Sequence, residues 1–434
     1  MTRTLRHAGV AAPEVSRERL LAAMVRTAAR HSYTGATVSR VVGDAGATRA
    51  VFYEHFCNRE DCFLAAHQAA AERALRCLGA EEGSRVSLGT ALQEVLVRAA
   101  ENPATTRFLL IETLGASQRA RLRHEEFLAR LEAVIDASLE PGRAPQLTAS
   151  ALLDGVIGVI ANRLLGGEAA ALPELEGGLL AWGRAYRVPA GADRLSQQEW
   201  AALGRTLAPA EPGREADVSL LPRGRSALDR AAGAASRRRR VVVATAEAVA
   251  RKGFAALTVA DIVATARVPR SAFYAQFAGK EGAFRAVQEE VLREAMAAAA
   301  SRFALGASWP ERVWNGLEGL LYYIAERPDL ARAGVIEVQS AGEAATRRSQ
   351  QICLAFTLFL EEGFRRSERA SVDPQVCAEA IAFAIHGVMR RALAREGASR
   401  LPELLPFCTH LALAPFVGAR HSLEFVTERA QAVG

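Results

Sequence analysis

An internal repeat constrains this chain more than any other feature. Residues 36–60, ATVSRVVGDAGATRAVFYEHFCNRE, return in residues 256–281 as ALTVADIVATARVPRSAFYAQFAGKE. Thr37-Val38 aligns with Thr258-Val259, and Phe52-Tyr53 with Phe273-Tyr274, at one constant offset. The echo continues downstream. Pro103 and Ile111-Glu112 recur as Pro328 and Ile336-Glu337, and Gly158-Val159 as Gly387-Val388. Leu172-Pro173-Glu174-Leu175 recurs as Leu401-Pro402-Glu403-Leu404. Solenoid units run to about 20–50 residues, far shorter than this period. The chain is therefore two copies of one folding unit, in keeping with its 434 residues.

Half of the residues are hydrophobic and 24% charged, enough for each copy to bury a core. Ala, Leu and Arg dominate and long β-rich runs are absent, which predicts an all-α fold. Leu20, Leu21, Met24, Val25 and Ala28 recur at helical spacing, as do Val241, Val242 and Val249. Thr37 precedes Val38, Val41 and Val42, and Thr258 precedes Val259, Ile262 and Val263. A threonine in that place is an N-cap, because its hydroxyl satisfies an orphan backbone N–H. Asp261, three residues after Thr258, approaches a capping box. In the first copy a break at Gly46 ends the second helix, and a third short helix carries VFYEHF in one copy and AFYAQF in the other. Helix, tight turn and short helix form a helix-turn-helix pattern.

The rest of each copy reads as longer helices, broken at Asn102-Pro103, Pro141-Gly142 and Arg327-Pro328. Between the copies Pro189, Pro209, Pro212 and Pro222 punctuate a polar stretch with room for one short helix from Gln197 to Leu203. These signals divide the chain into a helix-turn-helix domain (1–62), a larger helical domain (63–186), a linker (187–236), a second helix-turn-helix domain (237–283) and a second larger helical domain (284–434).

The formal charge of +6 is unevenly spread. Residues 1–59 hold nine Arg against four acids, and residues 223–280 hold ten Arg and two Lys against three acids. The remainder is acidic, so basic charge is concentrated at the two motifs, as a nucleic-acid partner requires. The six cysteines do not match between copies and have no CxxC spacing, which argues for free thiols over a disulfide scaffold or zinc site. The first residues carry no apolar signal-peptide core. The most apolar stretch, Ala151 to Leu165, is interrupted by Asp154, Asn162 and Arg163 and reads as a buried helix, with no membrane partner expected. His124 and His386 lack metal-ligand spacing, and neither a nucleophile elbow, a P-loop nor a Rossmann glycine pattern occurs. No metal, no cofactor and no catalytic residue is expected.

A recognition helix needs an apolar face inward and small or polar side chains outward. Phe52 and Phe56, like Phe273 and Phe277, are four residues apart and face inward. Outward lie Arg49, Ala50, Tyr53 and His55 in the first copy, and Arg270, Ser271, Tyr274 and Gln276 in the second. Arginine can be bidentate to guanine O6 and N7, and glutamine to adenine. Arg59 and Lys280 follow the helix where a cation neutralises phosphate. With Thr48 and the caps Thr37 and Thr258 they complete the candidate DNA-binding set. The run Arg237–Arg240 has two readings, a solvated segment or a backbone or minor-groove contact.

On Thr37, Phe52, Tyr53, His55, Phe56, Arg59 and Glu60, and again on Thr258, Phe273, Tyr274, Phe277, Lys280 and Glu281, the chain resembles the TetR family of bacterial transcriptional regulators. Arg267 stands where that family's turn usually carries Gly, and Gln276 where it usually carries His. The resemblance implies that the larger helical domains sense a small apolar or amphipathic effector and dimerise. It implies a cytoplasmic, ligand-responsive repressor and not an enzyme. Two fused copies would form an intramolecular pseudo-dimer on a double-stranded operator, and their different reading faces call for two unequal half-sites. A homodimer with four reading heads is the rival assembly. A helical ligand-binding or protein-interaction module with degenerate reading heads is the rival function.

Overall fold

Thr37 accepts a hydrogen bond from the Arg40 N–H and Thr48 one from Val51, so each hydroxyl starts a short helix where the sequence places it. The computed structural model describes residues 13–78, 87–138, 148–187, 195, 197–205, 227–366 and 373–433. Among the described residues there is no strand. The first copy comprises α1 (Pro13–Gly35), α2 (Val38–Ala45), α3 (Arg49–His55), α4 (Arg59–Cys77), α5 (Leu88–Glu101) and α6 (Pro103–Arg107), which runs into a π-helical turn, Phe108–Glu112. It continues with α7 (Gln118–Ser138), α8 (Ala149–Gly166), a 3-10 turn (Ala169–Leu175) and α9 (Glu176–Arg184). After α10 (Gln197–Arg205) the second copy opens with α11 (Ala227–Lys252), α12 (Val259–Ala266), α13 (Arg270–Tyr274), α14 (Gly279–Phe303) and α15 (Trp309–Ala325). Then come α16 (Pro328–Ala331) with its own π turn (Arg332–Ile336), α17 (Glu343–Ala355), α18 (Glu361–Arg366) and α19 (Pro374–Arg395). A 3-10 turn (Ala398–Leu404), α20 (Leu405–Val417) and α21 (Ala419–Val433) close the chain.

Even the irregular pieces repeat. Both π turns fall at the Ile-Glu echo, and both 3-10 turns at the Leu-Pro-Glu-Leu echo. One boundary differs from the sequence expectation. α11 starts at Ala227, inside the stretch read as linker to residue 236, because its alanines and arginines are strong helix formers. Nor is α10 a spacer: Trp200 is buried against Phe407 and His410 of the second copy.

The copies meet along a seam in which α8 lies against α19 and α9 joins them. Close approach is set by glycines. A Cβ on Gly158 would overlap the Phe383 ring, and one on Gly387 would overlap Asp154. Trp182, fully buried, donates through Nε1 to the Tyr186 hydroxyl at 2.9 Å, which donates to the Leu411 carbonyl at 2.8 Å. Buried ion pairs cross the seam: Arg163 is bidentate to Glu379 (2.9 and 3.1 Å), and Asp154 pairs with Arg391. α8 is long and apolar enough to cross a membrane, but 67% of it is buried here, as expected of a core helix.

Apolar packing forms two clusters. The larger takes in the first helix-turn-helix domain and both larger helical domains, from Leu20 to Ala430. The smaller, from Val241 to Ala345, joins the second helix-turn-helix domain to the start of the helices that follow it and to the segment around the second π turn.

Candidate nucleic-acid interface and ligand cavities

In each short third helix the inward phenylalanines hold the outward face in place. Phe52 and Phe273 are fully buried, and Phe56 and Phe277 nearly so. Their neighbours Tyr53 and Tyr274 are 57% and 51% exposed, each with its ring edge-on to the preceding phenylalanine. Arg17 lies over the Phe56 ring and Arg238 over Phe277, so an arginine of the first helix braces each recognition helix.

The turn before the helix is preserved in both copies. Gly46 adopts φ 61°, ψ 37°, and Arg267 takes the same left-handed conformation at φ 51°, ψ 48°. In each, the backbone N–H closes on a carbonyl three residues back. The cap of the reading helix differs: the Thr48 hydroxyl accepts from Val51, whereas Pro269 holds that position in the second copy with no side-chain bond. Thr258 and Asp261 form a complete capping box. Hydrogen bonds from Lys252 and then Thr258 pull the Asp261 carboxyl down to about 2.

The structure sorts the sequence-derived site residues into two groups. Thr37, Thr48, Arg49, Ala50 and Tyr53 are exposed, as are Thr258, Arg270, Ser271 and Tyr274. Arg49 donates to the Ser39 hydroxyl at 2.5 Å, and Arg270 lies 5.9 Å from the Tyr274 ring centre. His55 and Gln276 are half-buried, and Gln276 reaches back to the Ala234 carbonyl at 3.5 Å.

Arg59 and Lys280 are half-buried and hold the backbone. Arg59 stacks over Tyr33 at 4.2 Å and donates to the Thr34 carbonyl, while Lys280 donates to the carbonyls of Phe254 and Leu257 at 3.1 and 3.0 Å. Both ammonium and guanidinium fasten the end of the first helix to the fourth, because open carbonyls there need donors. The arginine run is likewise committed in part. Within α11, Arg238 covers Phe277 and lies 3.8 Å from Glu289, and Arg239 lies 4.0 Å from Glu294.

Each larger domain holds a partly open apolar cavity, of about 170 Å³ in the first copy and about 140 Å³ in the second. The π turns form part of both walls: Leu109 and Leu110 line one, Gly334 and Val335 the other. π-helical turns are often found at functional sites, and here the next residue but one reaches toward the DNA-binding domain. Glu337 accepts the Phe254 N–H at 3.3 Å at the end of α11. Its counterpart Glu112 pairs with Arg107 at 3.0 Å, which also bonds Glu343 of the second copy at 2.8 Å. Burial pushes the Glu112 carboxyl up to about 7, against the pull of Arg107. The repeated Ile-Glu pair was visible in the sequence, but its position between cavity and reading head was not. No group of three or more metal-ligating side chains occurs among the described residues.

Two exposed recognition helices on repeated helix-turn-helix domains, each joined to a cavity-bearing helical domain, define a DNA-binding transcriptional regulator. Residues 20–66 and 241–287 both match the family described as bacterial regulatory proteins, tetR family. The chain is thus a tandem TetR-like regulator, with one such DNA-binding domain at the head of each copy. No curated protein matches it. Among solved structures, a putative TetR-family transcriptional regulator from Syntrophomonas wolfei is 16% identical, with 46% of this chain and 96% of that chain covered and a TM-score of 0.34. The transcriptional regulator FadR from Bacillus subtilis, solved in complex with stearoyl-CoA, is 14% identical, with 38% and 95% covered and a TM-score of 0.32.

Proposed function

We propose that the chain is a cytoplasmic, ligand-responsive repressor that works as a covalent pseudo-dimer on an operator with two unequal half-sites. The observation that carries this is the one-way character of the seam. At the repeat's own offset, Arg163 corresponds to Ala392, Glu379 to Ser150, Asp154 to Phe383 and Arg391 to Asn162. Copy one against copy one would set Asp154 opposite Asn162 and Arg163 opposite Ser150. Copy two against copy two would set Glu379 opposite Ala392 and Arg391 opposite Phe383. Stranding a buried charge in this way costs roughly 3–5 kcal/mol. Only the unlike pairing neutralises all four groups, which favours pairing within one chain over a homodimer with four heads.

Covalent pairing presents the second head at an effective concentration set by the linker. The exposed faces differ (Arg49 and Ala50 against Arg270 and Ser271), so the half-sites they read differ too. An effector in either cavity would press on a π turn and, through Glu337 or the Glu112–Arg107 pair, on a reading head. Major grooves must be met about one helical turn (~34 Å) or a multiple apart, so a small shift weakens binding.

The test is selection of bound duplexes from a random library with the full-length chain, together with native mass at low concentration. A bipartite site with unequal halves and a one-chain mass are expected. A perfect palindrome bound by two chains would replace this reading with the homodimer. Absence of sequence enrichment would favour the interaction-module rival.

A further inference from the structure

The two cavities occupy the same place in the repeat but are not chemically alike. Leu152, Val156 and Ile160 of α8 line the first, and their counterparts Ile381, Ile385 and Met389 of α19 line the second. Between them stands Ile157 in one copy and His386 in the other. Among the described residues the polar side chains on the first wall are Arg98 and Thr106, which have partners in Glu94 and the Asn102 carbonyl. Apart from these two paired groups, the described wall of that cavity is hydrocarbon.

The second wall carries five polar side chains. Gln288 donates to the Ala345 carbonyl, Cys353 to Ala382 and Thr357 to Leu354. His386 and Ser349 make no hydrogen bond among the described residues. Burial, reinforced by the nearby Arg390 guanidinium, pushes the His386 imidazole down to about 4, so it faces the cavity neutral. A neutral imidazole has one donor and one acceptor nitrogen, and half-buried His386 carries them on a wall that is otherwise mostly apolar. A ligand with one hydroxyl can satisfy it. Among the described residues no lysine or arginine lines this cavity, so a carboxylate would lose its hydration without gaining a cation. Size is limited as well: an apolar cavity of about 150 Å³ holds a benzene-sized body.

We infer that the cavities select different effectors: a compact hydrocarbon in the first copy, and in the second a molecule of similar size with one neutral hydroxyl, a phenol or small alcohol, seated on His386. This rests on the ligand-responsive reading above and makes the chain a sensor with two chemically distinct inputs to one operator.

Methyl NMR titration of the full-length chain tests it site by site, with Ile160 reporting on the first cavity and Ile385 on the second. Toluene and p-cresol are the two ligands to titrate. Toluene is expected to shift both reporters, and p-cresol chiefly Ile385. His386→Ile, which copies the first cavity, should weaken p-cresol at Ile385 by roughly tenfold or more and leave toluene within about twofold. His386→Gln keeps a donor and an acceptor and should retain most of the p-cresol affinity. Equal losses for both compounds in His386→Ile, unchanged p-cresol binding, or failure of both compounds to bind would overturn the assignment. Binding of the unliganded chain to its selected duplex, measured in parallel, reads the regulator function independently of these outcomes.

Discussion

Ser32 and Arg267 hold backbone angles that glycine holds in the other copy. Ser32 sits at φ 59°, ψ 171°, where its counterpart is Gly253 at φ 75°, and Arg267 sits in the left-handed region where its counterpart is Gly46. Each non-glycine there costs on the order of 1–3 kcal/mol, partly offset by the extra entropy that glycine loses on folding. Ser32→Gly and Arg267→Gly are each expected to stabilise the chain by about 0.5–1 kcal/mol, read from urea unfolding. A loss of stability in both would mean that the strained residues are held by contacts stronger than the strain. Residues of the reading head should separate in the opposite way. Tyr274 is half exposed, and its ring contacts are with Arg270 and Phe273 of its own helix, so Tyr274→Ala should weaken operator binding and leave the unfolding midpoint in place. Lys280→Ala removes two charge-assisted bonds to carbonyls and should cost roughly 1–3 kcal/mol of stability. It should leave the salt dependence of DNA binding unchanged, whereas a lost phosphate contact lowers that slope by about 0.9. In the sequence, a cation just after a recognition helix looks the same whether it faces phosphate or a helix end.

At the scale of elements, α1 to α3 and α11 to α13 were legible because threonine caps, apolar spacing and a break leave few alternatives. The pairing of α8 with α19 was not. Their shared Gly-Val marked a repeat, but only the folded register shows that Gly158 receives Phe383 and Gly387 receives Asp154. The same holds for the π turns, since a Pro followed by Ile-Glu carries no signal for a widened helical turn. The seam makes its own predictions. Gly387→Ala forces a methyl group into Asp154 and should destabilise by about 1–3 kcal/mol, as overpacking does. Glu379→Ala strands Arg163 beside only the more distant Glu168 (3.6 Å) and should cost roughly 3–5 kcal/mol. Exchanging the pair, Arg163→Glu with Glu379→Arg, should recover much of that loss in the same unfolding measurement. Equal destabilisation by the single and double variants would show that the ion pair does not select the unlike copy.

The whole molecule carries a pH dependence whose sign follows from what it buries. Burial pushes His67 and His386 down to about 4 and His124 and His410 down to about 3. Unfolding lets each take up a proton near its ordinary 6.5, so all four destabilise the fold as pH falls through the window from about 6.5 to 4. Glu112 and Asp154 act in the reverse direction. Burial raises them to about 7 and about 6, against the arginines that pair with them, so the folded chain keeps protons that the unfolded chain has already released. Their contribution is fully present below the ordinary carboxylate range and is lost as pH rises toward 7. Four groups oppose two, and the net uptake of about two protons on unfolding should lower stability by roughly 1–3 kcal/mol per pH unit below 6.5. Urea midpoints between pH 4.5 and 7.5 check this, and the optimum should fall near neutrality. Replacing Glu112 with Gln should steepen the acid side, because one of the two opposing groups is gone. A flat profile would mean that the buried histidines find proton acceptors in the folded chain, which would also remove the neutral imidazole on which the second cavity's selectivity depends.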